Sequence, residues 1–126
     1  MKKEPLVFVL HIRISIRFIE KYIMGLSKSD FLKSNEIQDA IARRLEIIGE
    51  ASKNLPASFK NKYPEISWKK IVGMRNVLIH EYFGVNLGLI WQIVKKDLPI
   101  FKKQIEEITN DNKQRILDLY GVDFLK

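Results

Sequence analysis

Leu87, Ile90, Val94, Leu98, Phe101, Ile105 and Ile108 follow one another at steps of three and four, with Trp91 beside Ile90. Such steps keep side chains on one face only when the backbone turns once in about 3.6 residues, so this segment is an amphipathic helix. Ile37, Ile41, Leu45, Ile48 and Ser52, with Ala40 and Ala51 beside them, make a second seam, and Ile71, Met74, Val77 and Leu78 a third. A seam cannot bury itself. Long amphipathic helices joined by short connections pack against one another, and the expected fold is an all-α antiparallel bundle of four to five helices.

The punctuation of the chain sets the expected boundaries. Pro5 suits a first helical turn, and the segment it opens runs to about Met24, before Gly25. Within it, Ile12 to Phe18 alternates apolar and polar residues as a strand would. The segment is nonetheless long, lacks internal glycine and would be an orphan strand in a helical chain, so it is read as helix. Arg13, Arg17 and Glu20 then share one polar stripe, and the remaining apolar surface calls for burial on more than one side, which a partner subunit could supply. Ser29 is the expected cap of a short turn, Asn35 the cap of a helix to about Asn54, Ser67 the cap of a helix from Trp68 to about His80, and Asn86 the cap of the last long helix. Leu55-Pro56 closes the second helix, residues 57–66 connect it to the third, and Pro99 should kink the last. Residues 1–110 form one domain, and 111–126 read as a tail with a short helix.

Composition narrows the chemistry. The 126 residues include no cysteine, which excludes disulfides, thiolate catalysis and cysteine metal sites. The two histidines, His11 and His80, do not make a zinc motif, so no metal or other cofactor is expected. The start of the chain resembles a signal peptide only superficially, because His11, Arg13 and Arg17 interrupt the apolar run and no small-residue cleavage site follows. No stretch reaches the length of a membrane span, and a cytoplasmic protein is expected. The net charge of +7 fits a polyanionic partner such as RNA, or a merely solubilising surface. Charge alone does not choose between these.

One stretch concentrates chemistry. Between Gly73 and Gly84 the sequence sets Arg75, Asn76, His80, Glu81 and Tyr82 at the end of an otherwise apolar helix. Cleaving RNA without a metal needs a base for the 2′-hydroxyl proton, a cation for the five-coordinate phosphate and an acid for the leaving 5′-oxygen. Histidine titrates near neutrality and suits the first or last task, and the arginine fork binds two phosphate oxygens at once. On a straight helix Arg75 and His80 lie about 140° apart, since each residue turns about 100°. A long arginine side chain wrapping round, together with a second subunit completing the site, would bring them to one place. The plain alternative is structural: Arg75 pairs with Glu46 or Glu50, and His80 sits at a helix C-terminus favoured by the dipole. Lys69 and Lys70 fit either RNA phosphate or a solvated face, and Asp39 with Arg43 reads as an ion pair one turn apart.

Three blocks resemble the HepT family of HEPN-domain ribonucleases, formerly domain of unknown function 86. The first is Gln38-Asp39-Ala40 with Arg43 to Ala51, the second Tyr63-Pro64-Glu65-Ile66 with Trp68 to Ile71, and the third Met74-Arg75-Asn76 through His80 to Asn86, leading to Trp91 and Asp97-Leu98-Pro99. The resemblance covers about residues 4–108. It implies a HEPN-type bundle acting as a homodimer, with the R-x4-H motifs of both copies facing one cleft. It further implies a metal-independent endoribonuclease toxin of a type VII-like toxin–antitoxin system. Arg75 and His80 would be catalytic with Asn76 assisting, Glu46 and Glu50 would support them, and an MntA-like nucleotidyltransferase antitoxin would transfer AMP to Tyr82. A non-catalytic helical module that docks on a nucleotidyltransferase, or binds a nucleotide, is the competing reading.

Overall fold

A computed structural model describes residues 4–78 and 86–121, which are helical without a strand. The helices are α1 (Pro5–Ile23), α2 (Lys28–Lys33), α3 (Asn35–Asn54), α4 (Ala57–Lys60), α5 (Trp68–Val77), α6 (Leu87–Gln92), α7 (Leu98–Asp111) and α8 (Lys113–Tyr120). The strand-like alternation of Ile12 to Phe18 lies inside α1. No helix among the described residues is long and apolar enough to cross a membrane.

Most residues of the seams read from spacing form the core, while Ile37, Leu87 and Trp91 are half-buried at its edge. Ile41, Leu45 and Ile48 of α3 and Ile108 of α7 are fully buried, against Val9, Ile12 and Ile19 of α1. Ion pairs give the direction of packing: Arg115 meets Glu4 at 2.9 Å, Arg13 meets Glu106 at 3.2 Å and Lys102 meets Glu20 at 2.7 Å. One member of each pair rises along the chain as the other falls, so α1 and the α7–α8 arm run antiparallel. Arg13 departs from the expected solvent stripe, because α7 crosses that face of α1; it is buried, with its guanidinium on Glu106. The other side of α1 leaves Ile14 and Phe18 exposed, at 39% and 37%, with the Arg44 guanidinium 4.0 Å above the Phe18 ring. His11 is exposed, edge-on to Phe8.

Two caps stand beside the expected residues. Ser27, not Ser29, caps α2 in a reciprocal box: its hydroxyl accepts from the Asp30 N–H and its own N–H donates to the Asp30 carboxylate. Those bonds hold the Asp30 carboxyl below its ordinary value, so this contribution is complete above the unfolded pKa and fades as pH falls through the folded one. Ser34, not Asn35, caps α3 through the Ile37 N–H. In both helices the cap falls to the residue whose backbone is extended, Ser27 and Ser34. Ser67 stands at the N-cap of α5 without a side-chain cap bond, while the Trp68 indole N–H donates to the Tyr63 carbonyl. Asn86 caps α6 through Leu89 as expected.

Just before Pro99, where a kink is expected, the winding of the helix changes. Ile93–Asp97 wind as a π-helix between α6 and α7. Proline at 99 donates no hydrogen bond, and its ring crowds the carbonyl four residues back, so the wider winding relieves both. The last segment is a helix too, with Ile116 of α8 fully buried. The Tyr63 hydroxyl ties the α4–α5 connection to the α7–α8 junction, donating to Asp111 at 3.3 Å and accepting from Asn112 at 3.3 Å. Burial pushes that phenol above its ordinary value.

α5 packs on α3 at Gly49, where a Cβ would stand 3.4 Å from the Ile71 carbonyl and 3.8 Å from the Arg75 amide nitrogen. A methyl group fits at those distances and a longer side chain does not. Gly49→Ala should therefore stay within about 1 kcal/mol of the parent, helix propensity offsetting the tighter contact. Gly49→Leu should cost about 1–3 kcal/mol, by overpacking, in urea denaturation.

Candidate functional site

The last turn of α5 carries the residues singled out for chemistry. Met74 and Leu78 point into the core, and Arg75 and Asn76 between them are exposed. The helix is held from below by α3 at Gly49, so Arg75 projects over the far rim of α3. There its Nη1 donates to Glu50 Oε2 at 3.2 Å, with both side chains about half exposed, at 47% and 48%. Of the two acids considered for support, Glu50 meets Arg75, whereas Glu46 lies 3.7 Å from Arg43 one turn away. His80 and Tyr82 lie outside the described residues.

The arrangement offers a half-exposed guanidinium on an acid that is equally exposed. Such a pair is screened by water and holds the arginine fork in place without committing it. The free edge of the fork can still take phosphate oxygens. Asn76, one residue on, brings an amide that can donate and accept. Among the described residues no group of three or more His, Asp or Glu could hold a metal ion.

A second feature adjoins this turn and was not foreseen. α5 runs antiparallel to α6–α7: Gln104 Nε2 reaches the Glu65 carbonyl at 3.5 Å, the Trp68 and Phe101 rings meet edge to face at 6.1 Å, and Lys70 Nζ lies 3.6 Å from Asp97. Ile71 and Val77, expected as core, are only half-buried and face Leu89, Ile93 and Phe101 across a cavity of about 570 Å³. Its walls come from helices distant in the chain, so no local motif announces it. The one signal was Ile100, an apolar residue at its mouth that stays 61% exposed.

Comparison with known proteins gives a consistent answer. The family model described as ribonuclease HepT-like matches residues 12–108. A Methanocaldococcus jannaschii protein named as a gamma-glutamylcyclotransferase and candidate RNase is 45% identical over 122 residues, 97% of this chain. The chain spans only 55% of that relative's length. A candidate RNase of Caldanaerobacter subterraneus is 44% identical over 111 residues, covering 88% of this chain and 99% of the relative. The probable ribonuclease HepT of Thermococcus cleftensis is 42% identical over 108 residues, covering 86% and 98%. No solved structure matches.

If Arg75 is available to substrate, its bond to Glu50 contributes little to folding. A double-mutant cycle of Glu50→Gln and Arg75→Gln under denaturant should give a coupling of about 0.2–1 kcal/mol. A coupling above about 2 kcal/mol would instead make Arg75 a structural residue.

Proposed function

The chain belongs to the HepT-like ribonuclease family, and on that premise we propose that it is a metal-independent endoribonuclease toxin whose site is built by Arg75, Asn76 and His80. The observation that carries this reading is the exposed Arg75 on the last described turn of α5, steadied by Glu50 but open to solvent. The imidazole of His80 takes the proton of a ribose 2′-hydroxyl. The 2′-oxygen attacks the adjacent phosphorus, and the guanidinium of Arg75 spreads the added charge over two bonds. A proton returned by an imidazolium to the 5′-oxygen completes the step, breaking the P–O5′ bond and leaving a 2′,3′-cyclic phosphate and a 5′-hydroxyl. Asn76 orients the phosphate.

Two copies of the chain build one cleft, so that the second copy's motif supplies what a single helix spacing of five residues cannot. The exposed stripe of α1, His11, Ile14 and Phe18, supports a homodimer, since a helix apolar on two sides covers the second against another surface. A nucleotidyltransferase of the MntA type restrains the toxin by moving AMP from ATP to the Tyr82 hydroxyl, with pyrophosphate leaving. The added phosphodiester places charge and bulk where the RNA phosphate would bind.

Incubating mass-verified, unmodified protein with RNA in EDTA should yield cyclic-phosphate ends. Arg75→Ala and His80→Ala should each lower the rate by at least about 100-fold, as loss of a general acid–base does, without loss of fold. No cleavage by the bare parent would favour the docking-module reading. Phe18→Glu should shift sedimentation from dimer to monomer and abolish cleavage with it; a dimer unaffected by the change would place the interface elsewhere.

A further inference from the structure

The cavity between α5 and α6–α7 is left unused by the cleavage scheme, yet its chemistry is that of a ligand site. Its volume of about 570 Å³ falls in the ~300–1,000 Å³ range of small-molecule clefts. Met74, Ile93 and Phe101 give it apolar walls, onto which a planar ring can slide while giving up little hydration. Polar groups stand at the rim: the amides of Gln92 and Gln104, and the ammonium groups of Lys70 and Lys96. Lys70 lies 3.6 Å from Asp97 and offsets the carboxylate on that rim. Lys96 is exposed and makes no ion pair among the described residues. Gln104 gives its amide nitrogen to the Glu65 carbonyl, and its oxygen remains an acceptor for a ring amino group.

We propose that this cavity receives one unpaired base of the RNA strand, with Lys96 on the neighbouring phosphate. The proposal rests on the ribonuclease reading above and names the substrate class of that site as single-stranded RNA. A flat heteroaromatic with polar edges and an anionic tether matches apolar walls, rim amides and a free ammonium group together. Met74 and Val77 line the cavity on the same two turns that carry Arg75 and Asn76. A base seated there brings its backbone past the end of α5. A base inside a duplex is stacked on its neighbours and cannot enter, so paired RNA is excluded.

The test uses the full-length, unmodified protein and a single-stranded dodecamer, intact or with an abasic ribose walked along it. Lys96→Glu and Ile100→Gln alter the mouth at exposed positions, where folding is not at stake. Lys62→Glu makes the same charge change at an exposed position away from the cavity. Both cleft variants should raise KM about tenfold with kcat nearly unchanged, Ile100→Gln through the base contact and Lys96→Glu through the phosphate contact, while Lys62→Glu stays near the parent. At one abasic position the parent should lose the same factor, Ile100→Gln little more, and Lys96→Glu, which keeps the base pocket, should still respond. An unchanged KM in both cleft variants overturns the proposal, and is what a cleft built for a partner protein's helix would give. Fluorescence anisotropy of the same oligonucleotides separates this failure from that of the ribonuclease reading. If the parent binds intact RNA better than abasic RNA and Ile100→Gln does not, the base site stands even without cleavage. Equal binding of both RNAs by the parent sinks it.

Discussion

Gly49 presents no side chain where α5 crosses α3, so the two backbones approach until the Ile71 carbonyl is a van der Waals contact from where a methyl would sit. That approach fixes the height and rotation of α5. It sends Met74 inward, brings Arg75 over Glu50 and leaves Asn76 in solvent. It also leaves the opposite flank of α5 facing α6–α7 across open space rather than pressed onto it. The position of the arginine and the existence of the cleft are thus two results of one close contact.

The electrostatics of the molecule divide by depth. Arg13 is buried against Glu106, where a charge without its counterpart would be costly, and so it pins α1 to α7 in one register. Arg75 and Glu50 sit half in water, where the same kind of pair is weak and can be exchanged for another anion. The protein therefore uses one arginine to specify the bundle and another to stay available at its surface. An excess of positive charge over the whole chain favours the approach of a polyanion to either face, and only geometry selects where it stops.

Much of this was legible in the residues. The three-and-four spacing of Ile90, Val94, Leu98, Phe101, Ile105 and Ile108 describes a buried seam whatever lies opposite, and all six are buried. Pro99 announced an irregular helix because its missing N–H is a property of the residue itself. What stayed hidden depended on distant partners. Arg13 looks like a surface residue until Glu106, in another helix, is brought beside it. Ile71 and Val77 look like core until α6–α7 is seen to stand away from them. The caps fall on Ser27 and Ser34 rather than on the nearby Ser29 and Asn35, which share the same capping chemistry and differ only in backbone conformation. At the site, pairing Arg75 with Glu50 was one of two choices open from composition, and the structure takes that one.

The π segment at Ile93–Asp97 has a consequence for how this molecule can change over time. A π turn amounts to one residue more than an α turn would hold, so it marks a place where the chain accommodates an insertion without lengthening the helix much. Removing that residue would restore regular winding but rotate α6 against α7 by about 100°. Ile90, Ile93 and Val94 would leave the faces they now fill. The irregularity is therefore locked in by the core on either side of it, and a change of helix length here would have to be matched by repacking of both α6 and α7.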